Sequence, residues 1–304
     1  MSVQALFDVP APAKLNLFLH ILGRRADGYH LLQSAFVLID WADRLHFERR
    51  GDGQLIRHDL GPALPAEDLC LRAARALQAA SATAQGADIS IHKHVPWGAG
   101  MGGGSSDAAT TLLALNCLWG LHWPRERLMG LSLQLGADVP FFLGGRNALV
   151  EGIGERLTPV DLVPARYAVL KPAASIPTRD IFAHLALKRD TAAVIVVGPF
   201  DEVQGPQQWA IGLEGFGSSC ESSFGRNDLQ IPAQLVCPEV AQAARWLEAR
   251  FGNSRMTGSG SAVFARVGVE VPPDQAFPQD GLPTGWVGRM CRSLAGHPLR
   301  AWAD

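Results

Sequence analysis

The chain has 304 residues, of which 47% are hydrophobic and 18% are charged, and its formal net charge is -2. This length and composition support a sizeable core and more than one domain, and we expect two, over residues 1–158 and 159–304. The near-neutral charge argues against nucleic acid or an anionic membrane as a partner, and no segment has the ~18 consecutive apolar residues of a membrane span. We therefore expect a small-molecule partner. The five cysteines are scattered without CxxC spacing, so we expect a reducing, cytoplasmic location.

The first predicted strand contains an informative lysine. Alternation over residues 13–19 puts three leucines on one face and puts Lys14, Asn16 and Phe18 on the other. Lysine is rare among the 27 basic residues of this chain, which slightly favours a role for a compact ammonium at position 14. The pattern alone leaves open whether Lys14 and Asn16 belong to a site or to the solvated outer face of an edge strand.

An aromatic residue and a histidine follow the Asp-Gly turn at residues 27–28. Tyrosine is scarce, with 2 in the chain, so Tyr29 beside His30 is a notable pair. Such a pair can stack on a pyrimidine ring and form hydrogen bonds with its polar edge. The alternative interpretation is that both side chains fill a core, with the histidine hydrogen-bonded.

Periodicity predicts an α+β arrangement along the whole chain. In the first domain, we predict strands at residues 12–21, 35–48, 89–95 and 148–152. We predict helices there at residues 66–81, 105–119 and 124–135. In the second domain, we predict strands at residues 167–172, 262–267 and 286–294 and a helix at residues 237–252. Residues 183–215 carry no motif to which we can assign a role.

A glycine-rich segment, residues 98–104, comes immediately before the helix predicted at residue 105. Glycine permits positive φ and close approach of a ligand, and a helix start offers free N–H groups at its positive end, which together favour phosphate binding. A Walker A loop is excluded because no Lys follows Gly104. The spacing of Gly98, Gly100 and Gly103 fits a dinucleotide fingerprint, but the acidic residue expected ~20 positions later is missing. A plain strand-to-helix turn is a third interpretation.

Asp138 is a single carboxylate in an otherwise apolar segment. Burying an unpaired carboxylate is costly, so we expect Asp138 to be paired or hydrogen-bonded. The pattern alone equally favours a helix N-cap or an Asx turn ahead of Pro140.

Three motifs, in this order, resemble those of the GHMP kinase superfamily: residues 12–17 (PAKLNL), 96–106 (PWGAGMGGGSS) and 257–264 (TGSGSAVF). The resemblance implies a two-domain α+β GHMP kinase fold with a glycine-rich phosphate loop at a strand-to-helix junction, and an ATP-dependent small-molecule kinase. Other segments narrow it to the branch that phosphorylates the 2-hydroxyl of a cytidine-diphosphate-linked methylerythritol in non-mevalonate (MEP) isoprenoid biosynthesis. These segments are residues 24–30, residues 135–142, residues 175–178 with Phe182, and residues 226–229.

The resemblance also implies roles for individual residues. Asp138 would take the proton from the accepting hydroxyl, and Lys14 would lie between Asp138 and the γ-phosphate. The implied ATP contacts are Pro96, Trp97, Gly98, Ala99, Gly100, Met101, Gly102, Gly103, Gly104, Ser105 and Ser106, together with Lys93 and Asp68. Mg²⁺ would bridge phosphate oxygens, with Ser105, Ser106 and Asp107 as candidate ligands and none assigned.

For the acceptor, the resemblance implies contacts from Asn16, Tyr29, His30, Thr178 and Phe182, with the two aromatic rings enclosing cytosine and His30 reading its edge. One departure is Asp68, which stands where the family often has Asn, because an Asp cannot donate to adenine as an amide can. Three alternatives stay open: a homoserine or mevalonate type of kinase, a nicotinamide-dependent oxidoreductase, and a catalytically silent nucleotide-binding module.

Overall fold

The computed structural model describes residues 3–193, 226–268, 271–272 and 274–304. Its first sheet is built on a long antiparallel hairpin in which β1 pairs with β2. The beginning of β2 also pairs with β5 and its end pairs with β4, so that β2 is the centre of the sheet. Strand β3 lies parallel to β4, and β6 lies antiparallel to β5. The six strands are β1 (Ala5–Arg24), β2 (His30–Arg50), β3 (Leu55–Asp59), β4 (Gly86–His92), β5 (Ala148–Gly152) and β6 (Arg156–Pro159).

Helices cover one face of this sheet and form the first hydrophobic core with it. The central helix is buried along most of its length, which explains why its sequence is apolar nearly all round. Alternate residues of β2 divide between two cores, since Phe36 and Leu38 face the helices while Val37 and Ile39 face the other way. The four helices are α1 (Leu69–Ser81), α2 (Gly103–Leu118), α3 (Arg125–Leu135) and α4 (Val139–Gly144).

A second, four-stranded sheet follows in the chain, in the order β10-β7-β9-β8. Its strands are β7 (Arg166–Lys171), β8 (Arg255–Met256), β9 (Val263–Val267) and β10 (Val287–Arg292). Among the described residues of this part of the chain, three helices accompany it: α5 (Thr178–Ala183), α6 (Gln230–Val236) and α7 (Pro238–Phe251). Side chains of these elements form a separate core.

A third core joins the two sheets. It combines residues of β1 such as Leu15 and Leu17 with Phe264 of β9 and Cys291 of β10. The last residues of the chain return to the first sheet, where the short 3-10 helix Arg300–Ala303 packs in the core of the four helices. Strand β1 is therefore buried on both faces over residues 11–21, which excludes the solvated edge-strand interpretation of Lys14.

The longer predicted elements are all present in the structure. Helix α2 begins at Gly103, two residues before the predicted start, because Gly102 in a left-handed conformation (φ 71) occupies the N-cap position. Six short elements have no signal in the sequence and owe their stability to tertiary packing: β3, β6, β8, α4, α5 and α6. Of residues 183–215, those from 194 onward lie outside the described residues. Among the helices that the structure describes, none is long and apolar enough to cross a membrane.

Candidate active site

The glycine-rich segment lies between β4 and α2, with its backbone turned at every second residue. Gly98, Gly100 and Gly102 have φ values of 60, 70 and 71, in the left-handed region that favours glycine. A Cβ on Gly100 would lie 2.2 Å from the carbonyl oxygen of Thr257, so a side chain is excluded there by space as well as by conformation. The segment ends at the start of α2, where free N–H groups and the positive end of the helix favour an anion.

A second glycine turn, residues 257–261, packs directly against this segment. The Ser261 N–H donates to the Gly98 carbonyl (3.1 Å) and the Ala262 N–H donates to the Ala99 carbonyl (3.2 Å). A Cβ on Gly258 would lie 2.6 Å from the carbonyl oxygen of Gly100. The second glycine turn therefore packs on the glycine segment through backbone contacts, and at Gly100 and Gly258 these contacts leave no space for a side chain.

Lys14 lies against the same segment from the side of β1. Its backbone N–H donates to the Met101 carbonyl (3.0 Å), and its ammonium donates to the side-chain carbonyl of Asn16. The Lys14 Nζ also lies 3.7 Å from Asp138 Oδ2 and 4.4 Å from the centroid of the Phe36 ring. Burial lowers the pKa of Lys14, and the neighbouring Asp138 carboxylate opposes that shift. The result is a buried ammonium beside a carboxylate.

Two irregularities in the pairing of β1 with β2 flank Lys14 and Asn16. Register shifts occur between Pro12 and Lys14 and again between Asn16 and Phe18, so both polar side chains lie between two bulges. Strict alternation had placed Phe18 with them, and this part of the prediction is wrong, because Phe18 packs in the same core as Leu15 and Leu17. Lys14 and Asn16 do project together, as predicted.

Asn16 connects the two sheets through a small polar network. Its backbone N–H donates to the Thr257 hydroxyl (2.9 Å), and its side-chain amide donates to the Ser34 hydroxyl (3.0 Å). Thr257 Oγ1 lies 3.3 Å from Asn16 Oδ1 and 3.4 Å from the Gly100 carbonyl oxygen. Thr257 therefore touches both the glycine segment and the residue that holds the Lys14 ammonium.

Asp138 stands at the N-cap position of α4, but its carboxylate makes no capping hydrogen bond within the described part of the chain. The side chain is 33% exposed, in contrast to 4% for Lys14. Pro140 in the first turn supplies no N–H for a cap, which removes one of the donors that an Asp cap uses. The carboxylate is thus held beside Lys14 with one side open to solvent.

Lys93 does not extend into open space as an adenine contact would. Its ammonium is held between the carboxylates of Asp43 and Asp107, both buried below the start of α2. Asp43 also accepts hydrogen bonds from the N–H groups of His94 (2.6 Å) and Val95 (2.8 Å). This cluster of Lys93, Asp43 and Asp107, which we call the acidic clamp, fixes the beginning of the glycine segment to α2.

The charges of the acidic clamp are strongly coupled. Burial raises the pKa of Asp107 well above its usual value, against the effect of Lys93 and in the same direction as the Asp43 charge. Asp107 Oδ1 is buried and has no hydrogen-bond partner among the residues that the structure describes. The Asp107 carboxylate is therefore buried and paired with Lys93 at the start of α2, and its role as a candidate Mg²⁺ ligand stays a prediction.

Two further predicted ATP contacts have other partners in the structure. Asp68 is the N-cap of α1, accepting from the Leu71 N–H (2.9 Å), and forms an ion pair with Arg57 (3.3 Å). Ser106 is fully buried, and its hydroxyl donates to the Pro12 carbonyl (2.7 Å). Both side chains thus have partners within the protein, and the adenine contact expected from Asp68 and the candidate hydroxyl ligand Ser106 stay predictions.

The side chains in and around the glycine segment differ in their exposure to solvent. Ala99 and Met101 are buried and Pro96 is partly exposed, whereas the Trp97 side chain is 57% exposed. Ser105 is partly exposed in the first turn of α2. The segment therefore offers mainly backbone N–H groups, with the Ser105 hydroxyl and the Trp97 ring as the open side chains.

The predicted acceptor residues lie in two neighbouring places. His30, at the start of β2, has its ring centroid 5.1 Å from that of Phe182 on α5, and Tyr29 beside it is exposed. Thr178, at the other end of α5, contacts the Ser259 hydroxyl of the second glycine turn (2.8 Å). Helix α5 therefore connects the second glycine turn, which Thr178 contacts, with His30, which Phe182 contacts.

Several residues of this site were missed at the level of sequence. Asp43 gave no signal, since an acidic residue in a strand is usually solvated. Thr257 was part of a recognised motif but received no role, and Phe36 was read only as part of a strand. Arg189, which contacts His30, lay in the segment without a motif.

Comparisons with known proteins agree with this architecture. Residues 68–146 match the model of the GHMP kinases N terminal domain and residues 213–276 match that of GHMP kinases C terminal. A 4-diphosphocytidyl-2-C-methyl-D-erythritol kinase of Methylibium petroleiphilum is 62% identical, with 100% of each chain covered. Its namesake in Variovorax paradoxus is 54% identical, covering 99% of this chain and 100% of the relative.

The structural comparison gives the same result. A crystal structure of 4-(cytidine 5'-diphospho)-2C-methyl-D-erythritol kinase is 34% identical and superposes with a TM-score of 0.71, covering 94% of this chain and 98% of the other. These relatives do not favour the oxidoreductase, the silent module or a homoserine or mevalonate type of kinase. The expected two-domain α+β GHMP kinase fold is confirmed, and the enzyme is an ATP-dependent phosphotransferase. The chain belongs to the 4-diphosphocytidyl-2-C-methyl-D-erythritol kinase family of the GHMP kinases.

Proposed function

We propose that this enzyme transfers the γ-phosphoryl group of ATP to the 2-hydroxyl of 4-diphosphocytidyl-2-C-methyl-D-erythritol in non-mevalonate isoprenoid biosynthesis, with Lys14 and Asp138 as its catalytic pair. The observation that carries the catalytic assignment is the Lys14–Asp138 contact of 3.7 Å directly beside the glycine segment. The substrate is that of the relatives, which are similar over the full length of the chain.

In this mechanism Asp138 accepts the proton of the attacking hydroxyl. Its carboxylate is partly open and is not used as a helix cap by the described residues, so a lone pair is available to the acceptor. Lys14 lies between this carboxylate and the glycine segment, where its ammonium offsets negative charge on the transferring phosphoryl group. Asn16 holds the ammonium by its side-chain carbonyl and so acts as a positioning residue. The transfer is direct, without a covalent enzyme intermediate.

The glycine segment holds the phosphates of ATP. We assign the backbone N–H groups of residues 98–104 and the start of α2 to the β-phosphate region, since three left-handed glycines turn the backbone there without side chains. Trp97 covers the nucleotide through its exposed ring, and Ser105 offers its hydroxyl. Pro96, Ala99 and Met101 contribute through the course of the backbone, while Lys93 acts indirectly through the acidic clamp.

Mg²⁺ is part of the proposal as the partner of the ATP phosphates. Within the described residues no group of three or more His, Cys, Asp or Glu side chains is suited to a metal ion. This fits Mg²⁺ that is bound mainly by phosphate oxygens and water, as is usual for magnesium nucleotides. When bound, Mg²⁺ would neutralise charge on the phosphates. We assign no protein ligand to it, since Asp107 and Ser106 are occupied by internal contacts.

The acceptor lies along α5. We assign Tyr29 and Phe182 to stacking on the cytosine ring, His30 to its polar edge and Thr178 to polar groups of the substrate nearer the phosphates. The support is the position of Phe182 beside His30 and that of Thr178 beside the second glycine turn, at opposite ends of one short helix.

We also propose that the domains meet at residues 158 and 159 and that the enzyme is cytoplasmic. A division between residues 158 and 159 falls one residue before the end of β6, the last strand of the first sheet, and the first strand of the second sheet follows at Arg166. The final residues nevertheless pack on the first domain, through contacts such as that of the His297 N–H with the Gly145 carbonyl (2.9 Å). A cytoplasmic location suits the four cysteines of the described part of the chain, which are free thiols.

The test of the proposed function is acceptor-dependent ADP release with identification of the product. The purified enzyme is mixed with ATP, Mg²⁺ and 4-diphosphocytidyl-2-C-methyl-D-erythritol, with mevalonate and homoserine as parallel acceptors. We expect ADP only with the cytidyl acceptor and a new phosphomonoester signal in the ³¹P spectrum. ADP formation with mevalonate or homoserine, and none with the cytidyl compound, would overturn the proposed acceptor.

A further inference from the structure

Arg189 makes a set of contacts that connects two walls of the proposed acceptor site. Its Nε donates to His30 Nε2 at 3.1 Å. Its other nitrogens donate to three backbone carbonyls, those of Leu187 (3.1 Å), Phe182 (3.0 Å) and His184 (3.2 Å). The guanidinium therefore fixes the chain that follows α5 and, at the same time, the imidazole at the start of β2.

The contact with Arg189 dictates the chemistry of His30. A guanidinium has only donors and stays protonated, so His30 Nε2 must present its lone pair. The ring is then neutral and carries its hydrogen on Nδ1. Burial lowers the pKa of His30, and the charges of Arg189 and Arg24 lower it further, which agrees with a neutral ring.

A neutral imidazole with its hydrogen on Nδ1 is a donor toward a ligand. The free edge of a cytosine ring has acceptors at N3 and O2 as well as the N4 amino donor, so an Nδ1–H group matches the acceptor part of that edge. The opposite tautomer would present a lone pair at Nδ1 and would repel those acceptors. The identity of the residue that faces Nε2 therefore decides which part of the pyrimidine edge His30 recognises.

We propose that Arg189 is a specificity-determining positioning residue that holds His30 as a neutral, Nδ1-protonated donor to the acceptor edge of the cytosine ring. This inference rests on the proposed function. It goes beyond it because the proposed function gives Arg189 no role, and Arg189 would act through its contact with His30. The three carbonyl contacts of the same guanidinium hold the end of α5 in place, so that the Phe182 ring stays beside the imidazole.

The kinetic test compares Arg189→Met with Arg179→Met as a matched control, because Arg179 is an exposed arginine on α5. For Arg189→Met we expect KM for the cytidyl acceptor to rise about tenfold, with kcat and KM for ATP nearly unchanged, since one hydrogen bond to the substrate loses its orientation. In a His30→Ala background the same substitution should change this KM less than twofold. Equal effects of Arg189→Met with and without His30 would show a merely structural role and would overturn the inference.

The spectroscopic test uses the ligand-free enzyme and so does not depend on the substrate. Long-range ¹H–¹⁵N correlation of the His30 ring should show the hydrogen on Nδ1 in the wild type, and a mixture of tautomers with a higher pKa in Arg189→Met. A hydrogen on Nε2 in the wild type would overturn the inference even if the kinase reaction is confirmed. If instead the wild type fails to phosphorylate the cytidyl acceptor, the proposed function fails while the tautomer measurement still decides the role of Arg189.

Discussion

Replacement of Lys93 by Met tests whether the acidic clamp holds the glycine segment in place. The Lys93 ammonium is the counter-ion of two carboxylates, Asp43 at 0% exposure and Asp107 at 4%. Met keeps the length of the side chain but removes the charge, so that both acidic groups lose their ionic partner in a buried position. Removing one member of a buried ion pair costs about 3–5 kcal/mol, because the uncompensated charge cannot regain water.

The loss of stability in Lys93→Met should depend on pH. Burial holds the pKa of Asp107 well above its value in the unfolded chain, so the folded protein binds the additional proton between these two pKa values. Stability therefore falls as pH rises through this window. Without the ammonium the pKa of Asp107 rises further and the window extends upward. We expect the deficit of Lys93→Met relative to the wild type to be larger at pH 8 than at pH 5.

The assay is urea denaturation at both pH values, followed by tryptophan fluorescence. Lys188→Met is the control, because Lys188 is exposed and its removal should stay within about 0.5 kcal/mol of the wild type. The double variant Lys93→Met with Asp107→Asn should be about 1–3 kcal/mol more stable than Lys93→Met alone, since one buried carboxylate is gone. If Lys93→Met is no less stable than Lys188→Met, the clamp does not hold the charges that we assign to it.

Two further predictions concern the glycine segment and the network below it. Gly100→Ala should raise KM for ATP more than tenfold, since the strained conformation costs about 1–2 kcal/mol and the new Cβ would lie 2.2 Å from the Thr257 carbonyl. Gly61→Ala, with open space around it, is the control, and an equal KM for ATP in both variants would refute the reasoning. Thr257→Val should lower kcat about tenfold, because the buried Asn16 N–H loses its acceptor, at a cost of about 1–3 kcal/mol. Thr257→Ser keeps the hydroxyl and should restore kcat; a valine variant as active as the serine variant would show that the hydroxyl is dispensable.

The sequence allowed the main elements and the Lys14–Asn16 pair to be predicted, because both follow from local periodicity. Lys14 and Asn16 are two residues apart on one strand, and their hydrogen bond needs no long-range information. The bulges on either side are not visible in the sequence, and for that reason Phe18 was assigned to the wrong face.

Contacts between distant segments could not be predicted from pattern. Asn16 and Thr257 are separated by 241 residues, and Lys93 lies 50 residues from Asp43. The capping role of Asp68 could not be predicted either. An Asp that caps a helix and an Asp that binds a ligand look alike in the sequence unless the first residue of the helix is known. The resemblance of the motifs identified the family. Which side chains of these motifs are exposed and which are buried became visible only in the tertiary structure.

The most direct test of the central claim is the effect of Asp138→Asn on the chemical step. Asn is nearly isosteric with Asp but cannot accept the hydroxyl proton as a carboxylate does, so we expect kcat to fall by about 10²–10⁴ with KM for ATP and for the cytidyl acceptor little changed. Single-turnover measurement of phosphoryl transfer separates this step from product release. A variant with kcat close to that of the wild type would show that Asp138 is not the base and would contradict the mechanism.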